Sequence, residues 1–354
     1  MIRECIAKLV RREDLLPEEA EEAMTEIMSG KASDAQIASF ITALRMKGET
    51  VEEITAFASV MRRFCIRINP SVNGRLVDTC GTGGDSVKTF NVSTLAALIA
   101  AGAGVYVAKH GNRSVTSNCG SADLLEALGF NLNMSPEAVE KSIESIGIGF
   151  MFAPVFHPAM KHAVVPRREI GIRTVFNILG PLANPAGANA QLMGVCEKYL
   201  LKPIANVLKN IGVENAMVVY GSDGLDEISI TGRTNVLLVS NGKIVSKYIE
   251  PEDFNLKRAD KNYIQVSSKE ESVKAALDIL RNRVGDDRLV SKRNMVLINA
   301  AAAIFLGGKA KNLSEAFEIA RESLESGTAY NKLKDLIKYS GGNLSILEEL
   351  ENNG

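Results

Sequence analysis

The chain has 354 residues, enough for one large or two medium domains with a buried core. It is 46% apolar and 23% charged with a net charge of −1, an ordinary globular composition that offers no global basic field to recruit nucleic acid or anionic lipid. No apolar run approaches the roughly 20 residues that cross a bilayer, and the opening MIRECIAKLV carries no long apolar core with a cleavage site, so a cytoplasmic protein without nucleic-acid or membrane partners is expected. The five cysteines, Cys5, Cys65, Cys80, Cys119 and Cys196, are scattered without a CxxC pair, which argues against a disulfide framework or a zinc site.

Residues 1 to about 70 read as successive helices. Pro17 fits a first helical turn, EEAEEAMTEIM follows, and Gly30 stops it. Ser33 with Gln36 and Thr50 with Glu53 form two capping boxes. From Arg75 the pattern changes to α/β. RLVDTC, VYVAKH and GFMFA read as strands, with NVSTLAALIAAGAG, SADLLEALG and SPEAVEKSIESIG as intervening helices. Such alternation predicts a mostly parallel central sheet flanked by helices. HPAMKHAVVPRREIGIRTVFNILGPLANP, residues 157–185, interrupts this rhythm and is expected to return to the helical unit. AQLMGV resumes the sheet, followed by a helix near 198–211, NAMVVYG, and a hairpin marked by Asn241–Gly242. The expected architecture is a small all-helical domain, 1–70 joined by 157–185, and a larger α/β domain, 71–156 with 186–354.

DTCGTGGDSVKTFNVST places Gly81, Thr82, Gly83, Gly84 and Asp85 between a strand and a helix. Glycines let backbone N–H groups approach oxygens closely, and a helix N-terminus adds partial positive charge, the geometry for holding an anion. Asn91, Ser93 and Thr94 offer further donors. The Walker and GxGxxG patterns are absent. A plain structural turn, with Ser93 and Thr94 as caps, is the competing reading. A second loop, GNRSVTSNCGSAD, also follows a strand and precedes a helix, with Lys109, Asn112, Arg113, Ser117 and Ser121 in or beside it. Two such loops at strand C-termini would face one crevice. Against this, Lys109 could be a surface lysine and Arg113 a loop cation paired with a nearby acid. Asp223–Gly224–Leu225–Asp226–Glu227 follows another strand; adjacent carboxylates suit Mg²⁺, and an acidic turn in solvent is the alternative.

GTGGD, KHGNR, RREIGIRTVFNILGPLANP and DGLDE, in this order, resemble the anthranilate phosphoribosyltransferases of tryptophan biosynthesis. The resemblance covers nearly the whole chain. It implies a homodimer with the active site between a helical and an α/β domain, and Mg²⁺-dependent transfer of the phosphoribosyl group of 5-phosphoribosyl 1-diphosphate to the amine of anthranilate. By the same resemblance Gly81, Thr82, Gly83, Gly84, Asp85, Thr89, Asn91, Ser93, Thr94, Lys109 and Ser121 bind the donor. Gly81, His110, Asn112 and Arg167 face anthranilate, and Ser93, Asp226 and Glu227 reach the metal. No covalent or acid–base residue is implied. Many members carry a glycine after the aspartate of GTGGD, where this chain has Ser86, and Thr116 and Asn118 depart from a serine-rich stretch. Helical periodicity does not choose between Arg167 and Arg168; the spacing to Gly171 and Arg173 in the family pattern favours Arg167, with Arg173 expected to brace the helix. His157 reads equally as a hinge or a core histidine. A pyrimidine nucleoside phosphorylase shares this architecture, and a non-catalytic nucleic-acid-binding relative is the reading from another class; KHGNR and the intact DGLDE acids fit the transferase better.

Overall fold

The computed structural model describes residues 1–84, 87–114 and 118–352. Four helices open the chain, α1 (Ile2–Val10), α2 (Pro17–Met28), α3 (Asp34–Lys47) and α4 (Val51–Phe64). Their ends follow local chemistry. Pro17 occupies the first turn of α2, and the hydroxyls of Ser33 and Thr50 accept from the backbone N–H groups of Gln36 and Glu53, whose side chains reciprocate. Glu53 does more than cap α4. Fully buried, it accepts from Leu15 N at 2.9 Å and from Lys47 Nζ at 2.8 Å, so it ties the loop before α2 and the end of α3 to α4.

The α/β region continues with β1 (Leu76–Gly81), α5 (Val92–Gly102), β2 (Tyr106–Gly111), α6 (Ser121–Ala127), α7 (Pro136–Ile146) and β3 (Ile148–Phe152). Three helices then interrupt it: α8 (Ala153–Phe156), α9 (Lys161–Ile170) and α10 (Phe176–Leu182). β4 (Ala190–Gly194), α11 (Leu201–Asn210) and β5 (Asn215–Gly221) resume the sheet, and β6 (Thr234–Ser240) and β7 (Lys243–Ile249) close it as a hairpin. Asn241 and Gly242 both have positive φ, as a two-residue type I′ turn demands. Five helices follow: α12 (Lys269–Leu280), α13 (Asp287–Leu306), α14 (Leu313–Glu325), α15 (Thr328–Tyr339) and α16 (Leu344–Asn352).

The seven strands lie in the order β3-β2-β1-β4-β5-β6-β7, with β1 to β5 parallel and β6 and β7 antiparallel. The chain winds outward from β1 in one direction and from β4 in the other, so the switch point lies between these two strands. Crevices for ligands form there, beyond the strand C-termini. One face of the sheet packs on α5 and α13, within a core that also holds side chains of α12, α14 and α15. By composition α13 is long and apolar enough to cross a membrane, yet 72% of its apolar window is buried inside the protein.

The opposite face carries α11, which packs on α4, β5 and β6. α9 packs on α2 and α3, and α10 on α4. One apolar cluster therefore runs from Phe40 and Phe57 through Leu179 and Ile204 to Met193 and Val218 on the sheet. The helices of the N-terminal region share their core with the sheet's second face.

Candidate active site

The loops after β1 and β2, the turn after β5, and the α9–α10 segment converge on one cavity of about 320 Å³ at the switch point. Its walls include Gly81, Thr82, Gly83, Gly84, Thr89, Asn91, Ser93, Thr94, Lys109, His110, Asn112, Ser121, Arg167, Asp226 and Glu227. Every expected site residue is thus brought to one place except Asp85, which lies outside the described residues together with Ser86, Thr116 and Ser117.

Backbone contact explains the glycines. Gly81 and Gly194 are register partners on β1 and β4, and Asp226 crosses over both. A Cβ on Gly81 would collide with the Asp226 carboxylate, and one on Gly194 with the Asp226 carbonyl. Asp226 then accepts from Gly83 N at 2.8 Å, so the acidic turn and the glycine turn are joined. Asp226 and Glu227 are only 8% and 9% exposed, which excludes an acidic turn in solvent. Gly194 carried no signal in AQLMGV beyond that of an ordinary strand.

Lys109 is not a surface lysine. It is 3% exposed and donates to the Thr79 carbonyl at 2.7 Å and to Ser93 Oγ at 3.3 Å. Burial lowers its pKa, opposed by the charge of Asp78. Asp78, fully buried on β1, has its own pKa raised to about 6 by desolvation, opposed by Lys109. Its carboxylate accepts from Asn184 Nδ2 at 2.8 Å and His110 N at 3.3 Å. Asp78 and Asn184 are supports that the sequence did not single out. Arg113 takes the plainer of its two readings, since its guanidinium pairs with Asp123 and Glu126.

His110 Nδ1 lies 3.2 Å from the Gly180 carbonyl, leaving Nε2 buried without a partner among the described residues. Its ring tilts against His157 with centroids 4.9 Å apart. Burial, then the neighbouring histidine, lowers the His110 pKa to about 3, and burial lowers that of His157 to about 4, so both rings are neutral near pH 7. His157 is 4% exposed, which makes it a core histidine.

Arg167 and Arg168 divide as helical geometry requires. Arg167 lines the cavity over the Phe176 ring, 5.2 Å from its centroid, whereas Arg168 is exposed. Desolvation lowers the Arg167 pKa, and among the described residues no carboxylate pairs with it. Arg173 does not brace its helix. It donates from Nη1 to the Gly83 carbonyl at 2.7 Å and from Nη2 to that of Thr82 at 3.3 Å.

The returning limbs of the two loops are fastened to the segment before α12. Thr89 bridges to Gln265, Val266 N donates to the Lys88 carbonyl at 3.2 Å, and Asn118 Nδ2 donates to the Val266 carbonyl at 3.2 Å. Asn91 does not cap α5 with its side chain; it accepts from Ser272 Oγ at 2.9 Å and donates to the Cys119 carbonyl at 3.1 Å. Ser272 and Asn118 were invisible as supports because their partners lie far away in sequence. Thr94 Oγ1, at the start of α5, is buried without a partner among the described residues.

The donor set is hard oxygen. Among the described residues no group of three or more His, Cys, Asp or Glu could hold a metal alone. Mg²⁺ commonly uses one or two carboxylates plus substrate phosphate oxygens, so Asp226 and Glu227 fit it in company with a phosphorylated ligand.

This arrangement agrees with sequence and structure comparison. The helical-bundle domain of the glycosyl transferase family matches residues 3–65 and its a/b domain residues 73–330. Anthranilate phosphoribosyltransferase of Alkaliphilus metalliredigens is 49% identical over 96% of this chain and 98% of its own length. That of Methanocorpusculum labreanum is 51% identical over 97% and 99%. The crystal structure of the Thermus thermophilus enzyme superposes with a TM-score of 0.88 at 41% identity, covering 95% of this chain and 99% of that one. The Saccharomyces cerevisiae enzyme in complex with PRPP and Mg superposes with a TM-score of 0.87 at 28% identity, covering 96% and 98%. The chain belongs to the anthranilate phosphoribosyltransferase family.

Proposed function

We propose that the cavity at the switch point transfers the phosphoribosyl group of 5-phosphoribosyl 1-diphosphate to the amine of anthranilate, forming N-(5-phosphoribosyl)anthranilate and diphosphate. The C1–O bond of the donor breaks, its electron pair leaves with diphosphate, the amine nitrogen bonds to C1, and that nitrogen gives up one proton, which leaves with the diphosphate into solvent. The observation that carries this reading is the meeting of two chemistries in one cavity. Half-buried Arg167 offers a planar fork with no acid partner among the described residues, while glycine-turn amides and Lys109 line the same space.

The donor is an anion, and charge grows on the departing diphosphate. The Gly81–Gly84 turn, Thr82, Thr89, Asn91, Ser93, Thr94, Lys109 and Ser121 hold it, with donors fixed by the fold before the substrate arrives. Asp226, Glu227 and the Ser93 hydroxyl are the groups that would hold Mg²⁺, which neutralises charge on phosphate oxygens when bound. On the acceptor side Arg167 clamps the carboxylate, and His110, Asn112 and Gly81 flank the ring. Anthranilate's amine is a weak nucleophile because its lone pair is delocalised, so its alignment with C1 is what the protein contributes. A neutral His110 supports this, because an imidazolium there would repel the positive charge developing on the ribose.

Homodimerisation is supported by exposed apolar side chains near the N-terminal helices, with Val10 69%, Leu16 59% and Met46 70% exposed. A cytoplasmic location is supported by the five unpaired cysteines. Loss of anthranilate fluorescence on incubation with the donor and Mg²⁺ tests the activity. Absence of that loss, with phosphorolysis of uridine or thymidine in its place, would overturn it. Light scattering after gel filtration tests the dimer.

A further inference from the structure

Arg173 lies in the connector between α9 and α10, beyond Arg167 on the same segment, and reaches across to the turn after β1. Its guanidinium binds two successive carbonyls of that turn, Thr82 and Gly83. A planar trans peptide points its N–H opposite to its C=O. With these two carbonyls drawn toward Arg173, the N–H groups of Gly83 and Gly84 are turned to the other side. For Gly83 this is seen directly, because its N–H meets the Asp226 carboxylate at 2.8 Å. N–H groups gathered on one side of a turn favour an anion, here the Asp226 carboxylate at Gly83 and the diphosphate beside it. Gly83 and Gly84 both have positive φ, which lets the backbone make this reversal. Gly84 is also required sterically, since a Cβ there would collide with the Arg173 guanidinium.

We propose that Arg173 is a positioning residue for the diphosphate. It lines the same cavity and engages the Thr82 and Gly83 carbonyls with its guanidinium, so that these oxygens are not left free to oppose the anion and the turn keeps its shape. Its charge also offsets the negative ends of two carbonyl dipoles that would otherwise oppose a polyanion. A helix brace would do neither. The proposal rests on the donor reading of the cavity given above.

The test uses the full chain with saturating Mg²⁺ and the variants Arg173→Ala and Arg173→Lys. In Arg173→Ala the KM for the ribosyl donor should rise about tenfold or more, as for loss of a charge-assisted hydrogen bond. The KM for anthranilate should stay within about twofold. Magnesium diphosphate alone, titrated by calorimetry, should bind about tenfold or more weakly, which reads the turn without chemistry. Millimolar guanidinium should restore part of the Arg173→Ala deficit, and Arg173→Lys, with one point donor in place of a fork, should fall between the two. A donor KM and a diphosphate affinity within about twofold of the unaltered protein in both variants would overturn the role. So would an equal loss on donor and anthranilate with no guanidinium response, the pattern of a structural brace. If Arg173→Ala does not fold, Arg173→Lys decides alone: a raised donor KM with anthranilate unchanged supports the proposal, and unaltered values overturn it. No turnover of anthranilate by the unaltered protein would sink the transferase reading, and retained magnesium diphosphate binding that weakens in the variants would still support the role of Arg173.

Discussion

Lys109 shows what burial adds to a residue already suspected from its place at a strand end. Its ammonium supplies the Thr79 carbonyl and Ser93 Oγ and faces the charge of Asp78. Lys109→Ala therefore removes a donor-site cation and leaves buried acceptors unmet. We predict a strong fall in turnover together with a stability loss of about 1–3 kcal/mol, read by kinetics and urea denaturation. Arg167→Ala, by contrast, removes a cation that no carboxylate among the described residues shares. Its expected signature is a rise in the anthranilate KM larger than any change for the donor, measured by initial rates. If Arg168→Ala produced that signature instead, the assignment would be reversed. KHGNR and RREIGIRT announced these side chains because their chemistry is concentrated in short runs. Asp78 and Asn184 were not legible, because a carboxylate inside LVDTC acquires meaning only when β1 is laid beside β2 and Asn184 arrives from a distant loop.

At the scale of elements, caps and periodicity made the helices readable, and short apolar runs after glycines made the strands readable. The capping box of Thr50 and Glu53 was visible because its partners are three residues apart. The bonds from Glu53 to Leu15 and Lys47 were not, since they depend on how three elements pack. Glu53→Ala would leave the Leu15 amide without its acceptor and the Lys47 ammonium with Asp14 alone; a loss of about 1–3 kcal/mol by urea denaturation is expected, as for a buried donor left unsatisfied. Gly194→Ala is the corresponding prediction for the sheet. Its methyl group meets the Asp226 backbone, so the acidic turn must shift. Overpacking of this kind costs about 1–3 kcal/mol. Turnover should fall well below that of the unaltered protein while the far-ultraviolet circular dichroism is unchanged. The continuity of the helical core with one face of the sheet was likewise illegible, because periodicity shows that a face is apolar without showing what covers it.

For the whole molecule, pH reaches stability through buried histidine. An unfolded His157 protonates near its ordinary 6.5, whereas the folded one stays neutral down to about 4. The unfolded chain thus binds the extra proton within that window, and the contribution of His157 is fully present above 6.5 and lost as pH falls toward 4. The loss is about 1.4 kcal/mol per pH unit for one proton. Asp78 acts with the opposite sign, since its raised pKa lets the folded state take up a proton first. Urea denaturation at pH 7.5 and 5.0 should show a steeper loss in the unaltered protein than in His157→Gln. Donor and acceptor groups reside on segments packed against different neighbours, so joint binding should draw them together. Small-angle scattering with the donor and an anthranilate analogue should show compaction, and an unchanged profile would count against closure.

The hairpin that completes the sheet has a further consequence. β7 is an outermost strand with exposed Lys243 and Lys247 on one side chain row. An unpaired strand border is a template for another chain, and lysines spaced along it make self-templating electrostatically unfavourable. The last strand thus acts as a solubility guard: the same protein with valine at both lysines should accumulate as filamentous or amorphous aggregate at concentrations where the original stays clear.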